Sequence, residues 1–180
     1  MAMPLLPPEQ IAHVSELVAE YITTQRDKYF SRAVTLSGQQ RTAMAPFFSL
    51  ELLDSTRVLV LTSERVANPD FYPMLEAAGF DNLPDQSQMA AITFSDCVVS
   101  HRPFTDTLLF HELVHVEQYR QLGIRQFADL YLNGFLNGGG YYEIPLEQNA
   151  YALGGQYEED SARHFSVAQE VTRWVSEGRF

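Results

Sequence analysis

Phe110-His111-Glu112-Leu113-Val114-His115 is the stretch of sequence from which the rest of the chain can be interpreted. It contains the pattern His-Glu-x-x-His. On an α-helix, residues four apart lie about 40° apart around the axis and one turn along it, so both imidazoles point the same way. This spacing fits one tetrahedral metal ion, and Glu112 can reach a water molecule held at that ion. The alternatives are a chance match or two satisfied histidines in a core helix, and the flanking sequence favours the metal site.

The residues around the motif predict a buried helix. Thr105 or Asp106 can cap its N-terminus, and the helix is expected to end at Leu122 with Gly123 as a left-handed cap. Apolar residues fall on nearly every face, as expected of a buried helix: Leu108, Leu109, Phe110, Leu113, Val114 and Val116. Polar groups buried in such a helix without partners would be costly, and a bound metal removes that cost.

Composition limits the classes of function. The chain has 180 residues, of which 46% are hydrophobic and 19% charged, which is typical of one globular domain spanning 1–180. The formal net charge of -11 argues against a nucleic-acid partner and against binding to an anionic membrane. The single cysteine excludes an internal disulfide bond, and no signal peptide or transmembrane segment is evident. We therefore expect a cytoplasmic protein, although export without an N-terminal signal is compatible with the same pattern.

The remaining patterns predict an α+β fold, mainly helical with a small sheet. A first helix is expected over 8–30, within an N-terminal segment 1–34 that serves as a brace or as a cover for the cleft. Strands are expected over 57–62 and 89–94, the second continuing as far as Val99. A helical stretch over 124–136 and a flexible turn at 137–140 follow the motif helix. The last helix is expected over 161–177, and residues 89–158 would form the catalytic unit.

A catalytic zinc site needs a third protein ligand. The candidates are Glu143, Glu147, His164 and the acidic run 158–160. We favour Glu147, because Pro145 suits the first turn of a helix and would place Glu147 in that turn. On the same helical face, Ala150 and Gly154 would let this helix approach the motif helix closely. Glu143, as a loop ligand, is the second choice.

His111-Glu112-Leu113-Val114-His115, followed 32 residues later by Glu147 within Pro145–Tyr151, resembles the gluzincin group of zinc metallopeptidases. Within that group the stretch is similar to small bacterial DUF4157-like peptidases, over about residues 93–155. The resemblance implies a minimal zincin-like domain with one catalytic Zn²⁺ bound by His111, His115 and Glu147. It also implies that Glu112 is the general base in peptide-bond hydrolysis, and that the strand before the motif helix edges the cleft and pairs with the substrate backbone.

The chain departs from the larger gluzincins at Tyr151, where those enzymes carry an acid that supports the first histidine. Asn149 or a backbone carbonyl is then expected to support His111. Tyr142, or its neighbour Tyr141, is the candidate hydrogen-bond donor to the oxyanion, with packing as the alternative role. Two other functions fit the same pattern: a zinc-binding protein without peptidase activity, whose site is structural or vestigial, and a toxin or effector module with one narrow protein target.

Overall fold

The computed structural model describes residues 6–138 and 140–180 and has an α+β fold. The helices are α1 (Pro8–Phe30), α2 (Gly38–Met44), α3 (Leu50–Ser55), α4 (Tyr72–Ala77), α5 (Asp106–Gly138), α6 (Pro145–Glu159) and α7 (Val167–Ser176). The strands are β1 (Val34–Thr35), β2 (Arg57–Val60), β3 (Ala91–Phe94) and β4 (Cys97–Ser100). The first five residues of the segment predicted over 1–34, and Gly139 of the turn predicted at 137–140, lie outside the described residues. Within the described ranges, no helix is long and apolar enough to cross a membrane.

The strands form one mixed sheet in the order β1-β2-β4-β3. The β2 and β4 strands are parallel, whereas β3 pairs antiparallel with β4 and lies at the edge of the sheet. The prediction that one strand could continue from 89 to Val99 is wrong. Ser95 adopts a left-handed conformation with φ 59°, which reverses the chain after Phe94 and produces a hairpin. The Arg26 guanidinium on α1 binds both carboxylate oxygens of Asp96 at 2.8 and 3.0 Å, which holds this hairpin against α1.

The α5 helix is the centre of the fold and packs against both α1 and α6. The predicted break at Gly123 is confirmed, because this residue has φ 75° and ψ 164° inside an otherwise helical run. Residues 109–119 are buried apart from His111, which is partly exposed, and this burial agrees with the all-round apolar pattern. The Phe110 ring stacks on Tyr157 at 4.5 Å and meets Phe47 edge-on at 5.4 Å. These contacts fix the rotation of α5 about its axis and therefore the direction in which His111 points.

Several elements differ from the sequence prediction. The last helix begins at Val167, not at residue 161, because the Ser166 side chain caps the helix by accepting from the Gln169 backbone N–H. The short strand β1 and the helix α3 were not predicted, and α2 lies in the stretch before Pro46 whose pattern predicts either a loop or a short helix. Both of these short helices begin at a serine cap, Ser37 and Ser49 respectively. Such caps stabilise helices of six or seven residues, which are too short to show a clear hydrophobic period.

The α6 helix packs its apolar face on α5, but the small residue that permits the close contact is not the predicted one. Ala150 is fully buried, but a Cβ added at Gly154 would meet no atom within 4 Å. The prediction that Gly154 permits close packing is therefore wrong. The small residue at the contact is Gly134 on α5, where a Cβ would lie 2.7 Å from Pro145 Cδ and 3.3 Å from Ile144 Cα. Gly134 thus allows the first turn of α6 to sit against α5.

We expect Gly134→Ala to destabilise the fold by about 1–3 kcal/mol, because the added methyl group must displace Pro145. Urea unfolding should show a lower midpoint with an unchanged slope. The matched control is Gly155→Ala on α6, where the new Cβ would meet nothing within 4 Å. Alanine there should be neutral or stabilising by about 0.5–1 kcal/mol, because it favours the helix over glycine. Equal midpoints for both variants would contradict the proposed contact.

Candidate metal centre and cleft

Three side chains converge between α5 and α6. His111 and His115 lie one turn apart on α5, and Glu147 lies in the first turn of α6. The two histidine Nε2 atoms are 3.2 Å apart, and Glu147 Oε2 lies 3.5 Å from the first and 3.3 Å from the second. Ligand atoms of a tetrahedral zinc ion, each about 2.0–2.1 Å from the metal, lie about 3.3 Å from one another. The three atoms therefore have the spacing of one face of such a tetrahedron.

The charges in this triad favour a cation. Burial opposes a charge on His115, but the Glu147 carboxylate outweighs that effect and raises the pKa of His115 to about 9. Burial likewise opposes the Glu147 charge, yet the two histidines hold the pKa of this carboxyl well below its usual range. Glu147 Oε2 has no hydrogen-bond partner although it is buried. The space among the three atoms therefore stabilises one positive charge, either a proton or a metal ion.

Gln118 selects the tautomer of His115. Its amide nitrogen donates to the Leu146 carbonyl at 3.0 Å and to Asn149 Oδ1 at 2.9 Å. Because a backbone carbonyl can only accept, the amide oxygen of Gln118 must face His115, where it lies 2.8 Å from Nδ1. Neutral His115 then carries its proton on Nδ1 and presents the lone pair of Nε2 to the triad, as a metal ligand requires. Asn149 thus supports Gln118 and, through it, His115.

Glu112 lies beside the triad in a fixed orientation. Its side chain is only 4% exposed, and Thr93 on β3 donates a hydrogen bond to Oε2 at 2.7 Å. The hydroxyl therefore ties the carboxylate of the motif helix to the edge strand of the sheet. Glu112 is next to His111 in sequence and lines the same cleft, so it is close to any group that occupies that cleft.

Two cavities meet at this place. An open cleft of about 590 Å³ is bounded by the N-terminal half of α5, the exposed face of α6 and the segment before β3. It reaches His111 and Glu112. A more apolar chamber of about 140 Å³ lies between α1, β3 and the second half of α5, and it reaches Glu112, His115 and Glu147. Glu112, Ala91 and Tyr141 line both cavities, so the cleft and the chamber approach the triad from two sides.

The tyrosines near the triad have different surroundings. Tyr151 packs its ring on His111, with the two ring centroids 4.6 Å apart. Tyr142 lines the cleft, but its side chain is 73% exposed and lies at the rim, against Tyr141 and Tyr151. Tyr141 is half-buried, and burial followed by the Glu147 charge raises its pKa far above the usual range. Its hydroxyl therefore stays protonated, and Tyr141 is the more buried of the two neighbouring tyrosines.

The other candidate ligands lie apart from the triad. Glu143 and the run 158–160 are exposed, and the exposed His164 packs its ring on Phe47 at 5.6 Å. Among residues 6–138 and 140–180, the group with metal-ligand geometry consists of His111, His115 and Glu147. The structure thus brings together the three residues favoured from the sequence.

Sequence reasoning did not find Gln118 or Thr93. The sequence could have indicated Gln118, because a residue three positions after His115 lies next to it on the helix surface. No local pattern indicates Thr93, because its contact with Glu112 depends on how β3 packs beside α5.

No protein-family model, curated protein or solved structure matches this chain.

Proposed function

We propose that this protein is a zinc-dependent peptidase with a minimal zincin-like, gluzincin-type domain. The observation that carries the proposal is that three ligand atoms at tetrahedral spacing adjoin an open cleft, with the Glu112 carboxylate beside them. Structural zinc sites usually have four protein ligands, whereas catalytic sites have three and leave one position for water or substrate. The described residues supply three, which favours catalysis over a purely structural or vestigial site.

His111, His115 and Glu147 would hold the metal. When bound, zinc would polarise the scissile carbonyl and make water more acidic. Glu112 takes the proton from the attacking water and passes it to the leaving amine. Thr93 is a positioning residue in this scheme, because its hydroxyl keeps the Glu112 carboxylate turned in one direction. Gln118 holds the Nδ1 side of His115 and so leaves its Nε2 lone pair free for the metal that the triad would bind.

Tyr141 is the donor that we propose for the oxyanion of the tetrahedral intermediate. It lines both cavities beside Glu112, and its raised pKa keeps the phenol protonated. Such a donor would stabilise charge that develops only during the reaction. Tyr142 is more exposed, and contact with substrate at the rim of the cleft suits it better than oxyanion binding.

The edge strand β3 supplies the means to bind an extended peptide. Residues flanking a two-residue turn form a hydrogen-bonded pair, and the pairs then alternate along the hairpin. This alternation makes Ala90 and His101 a bonded pair, which agrees with the 2.9 Å bond from the His101 N–H to the Ala90 carbonyl. Ala91 therefore directs its backbone groups away from β4, beside both cavities. A substrate strand pairing there would use backbone groups and would accept many sequences.

The direct test is metal-dependent cleavage of an unfolded protein and of a mixed peptide library. We expect one zinc ion per chain, internal peptide bonds cleaved, loss of activity on dialysis against a chelator, and recovery when zinc is restored. Mass spectrometry of the products would identify the bonds that are cut. Zinc binding at one ion per chain without cleavage of any substrate would favour the non-enzymatic zinc protein, and cleavage that survives complete metal removal would refute the mechanism.

A further inference from the structure

The apolar walls of the chamber beside the triad have no part in the mechanism above. Its walls are mainly aliphatic and aromatic side chains drawn from elements far apart in the sequence. Val14 and Val18 come from α1, Phe80 from the segment after α4, and Phe127 and Leu132 from the second half of α5. A cavity with such walls favours an apolar occupant, because filling it removes apolar surface from water.

Apolar side chains outnumber polar ones on the chamber walls, and two of the five tyrosines that line it have their hydroxyls engaged elsewhere. The Tyr21 hydroxyl donates to the Ala67 carbonyl at 2.8 Å, and the Tyr72 hydroxyl donates to the Pro84 carbonyl at 3.0 Å, so both present their rings. The charged groups that line the chamber, Glu112, His115 and Glu147, all belong to the candidate metal centre, and no lysine or arginine is among the lining residues. A charged occupant would therefore lose its hydration and would find no oppositely charged side chain in the chamber except those of the metal centre.

The size of the chamber limits what it can take. Its volume is about 140 Å³, and an apolar protein cavity of about 150 Å³ is known to hold benzene. A phenyl ring or a leucine side chain is therefore of the right size. Because Glu112, Ala91 and Tyr141 line both the chamber and the cleft, a group that enters the chamber lies next to a peptide held in the cleft.

We propose that the chamber is a specificity site that binds the side chain of a large apolar residue, phenylalanine or leucine, beside the scissile bond of the substrate. This inference rests on the proposed peptidase function and names the class of substrate for the same site. Glu112, the proton acceptor, stands at the junction of the two cavities, so the residue whose side chain fills the chamber is one that adjoins the bond cleaved.

The substrate test uses one peptide series in which a single residue beside the cleaved bond is phenylalanine, leucine, alanine or aspartate. We expect kcat/KM for phenylalanine or leucine to exceed that for alanine by about 10- to 100-fold, the range given by burial of a large apolar side chain. Aspartate should be the poorest. Equal kcat/KM values across the series would overturn the inference and would leave the proposed peptidase function intact.

A variant that fills the chamber tests the same inference from the side of the protein. Val18 lies on α1, lines the chamber and is only half-buried, so Val18→Phe can place a ring into the space. We expect the advantage of phenylalanine over alanine in kcat/KM to fall below about 3-fold in this variant. Leu17→Phe is the control, because Leu17 has similar exposure on the same helix and does not line the chamber. A preference that survives in folded Val18→Phe would count against the chamber.

Toluene binding provides a readout that does not need hydrolysis. Calorimetry or a rise in melting temperature should show saturable binding of toluene to the parent protein and to Leu17→Phe, and no binding to Val18→Phe. If no peptide is cleaved, the peptidase proposal fails, and this pattern of toluene binding would still support a site for an apolar group. Absence of toluene binding to the parent protein would overturn the inference.

Discussion

Glu112→Gln is expected to lose at least about 10²- to 10⁴-fold in kcat, the range associated with removal of a general acid–base group. The amide has almost the shape of the carboxylate and can still accept the Thr93 hydrogen bond, but it cannot take a proton from water. Glu112 is outside the triad of ligand atoms, so zinc content should remain at one ion per chain. The combination of bound metal and lost turnover would separate a catalytic defect from a folding defect.

Glu117→Gln is the matched control for this experiment. Glu117 is buried on the same helix, but its carboxylate pairs with Arg120 at 3.0 and 3.2 Å and accepts from Gln121, away from the cleft. This change should lower stability with little effect on kcat measured below the melting temperature. Hydrolysis by Glu112→Gln at the parent rate would eliminate Glu112 as the base and with it the proposed mechanism.

Removal of Glu147 is expected to have the largest effect on metal binding. Glu147→Ala leaves two histidine ligands. A site with two protein ligands should lose its zinc on dialysis, under conditions in which the parent protein keeps its zinc. The expected loss in affinity exceeds the 10- to 100-fold typical of residues that only support a ligand. Metal content by mass spectrometry and competition with a chromophoric chelator would measure it.

Glu143→Ala is the control for Glu147→Ala, because Glu143 was the second candidate for third ligand and is exposed. This variant should keep its zinc and its activity. Loss of zinc from Glu143→Ala with retention by Glu147→Ala would reverse the assignment and would mean that the loop before α6, not its first turn, supplies the ligand. Thermal melts of both metal-free variants would confirm that each is folded.

Local sequence patterns predicted the parts of this molecule that depend on local physics. The first helix begins and ends at the predicted residues because Pro8 starts it and apolar residues then recur at helical spacing. The break at Gly123 follows from the left-handed conformation that glycine adopts without strain. The two histidines face the same way because helix geometry fixes residues four apart, and that result needs no knowledge of the tertiary fold.

Features that depend on long-range contacts were not predictable in the same way. The Ser95 turn that separates β3 from β4 has no glycine or asparagine to mark it, so one continuous strand was an equally good prediction. Gly134 lies in a helix, where a glycine has no visible purpose until Pro145 is found against it. The apolar chamber is formed by α1, β3, α5 and the segment before β3 together, and no single stretch of sequence encodes it.

The hydrogen bonds of Gln118 couple two events that would otherwise be independent. Its oxygen orients His115, while its nitrogen holds Leu146 and Asn149 in the same turn of α6 that carries Glu147. Docking of this turn and occupancy of the metal site therefore share a coupling free energy, and such coupling is reciprocal. A change that destabilises the docked turn weakens metal binding, and the factor is the same as that by which metal removal destabilises the docked turn. A partner or modification that destabilises the start of α6 is therefore expected to lower metal affinity without contacting the cleft.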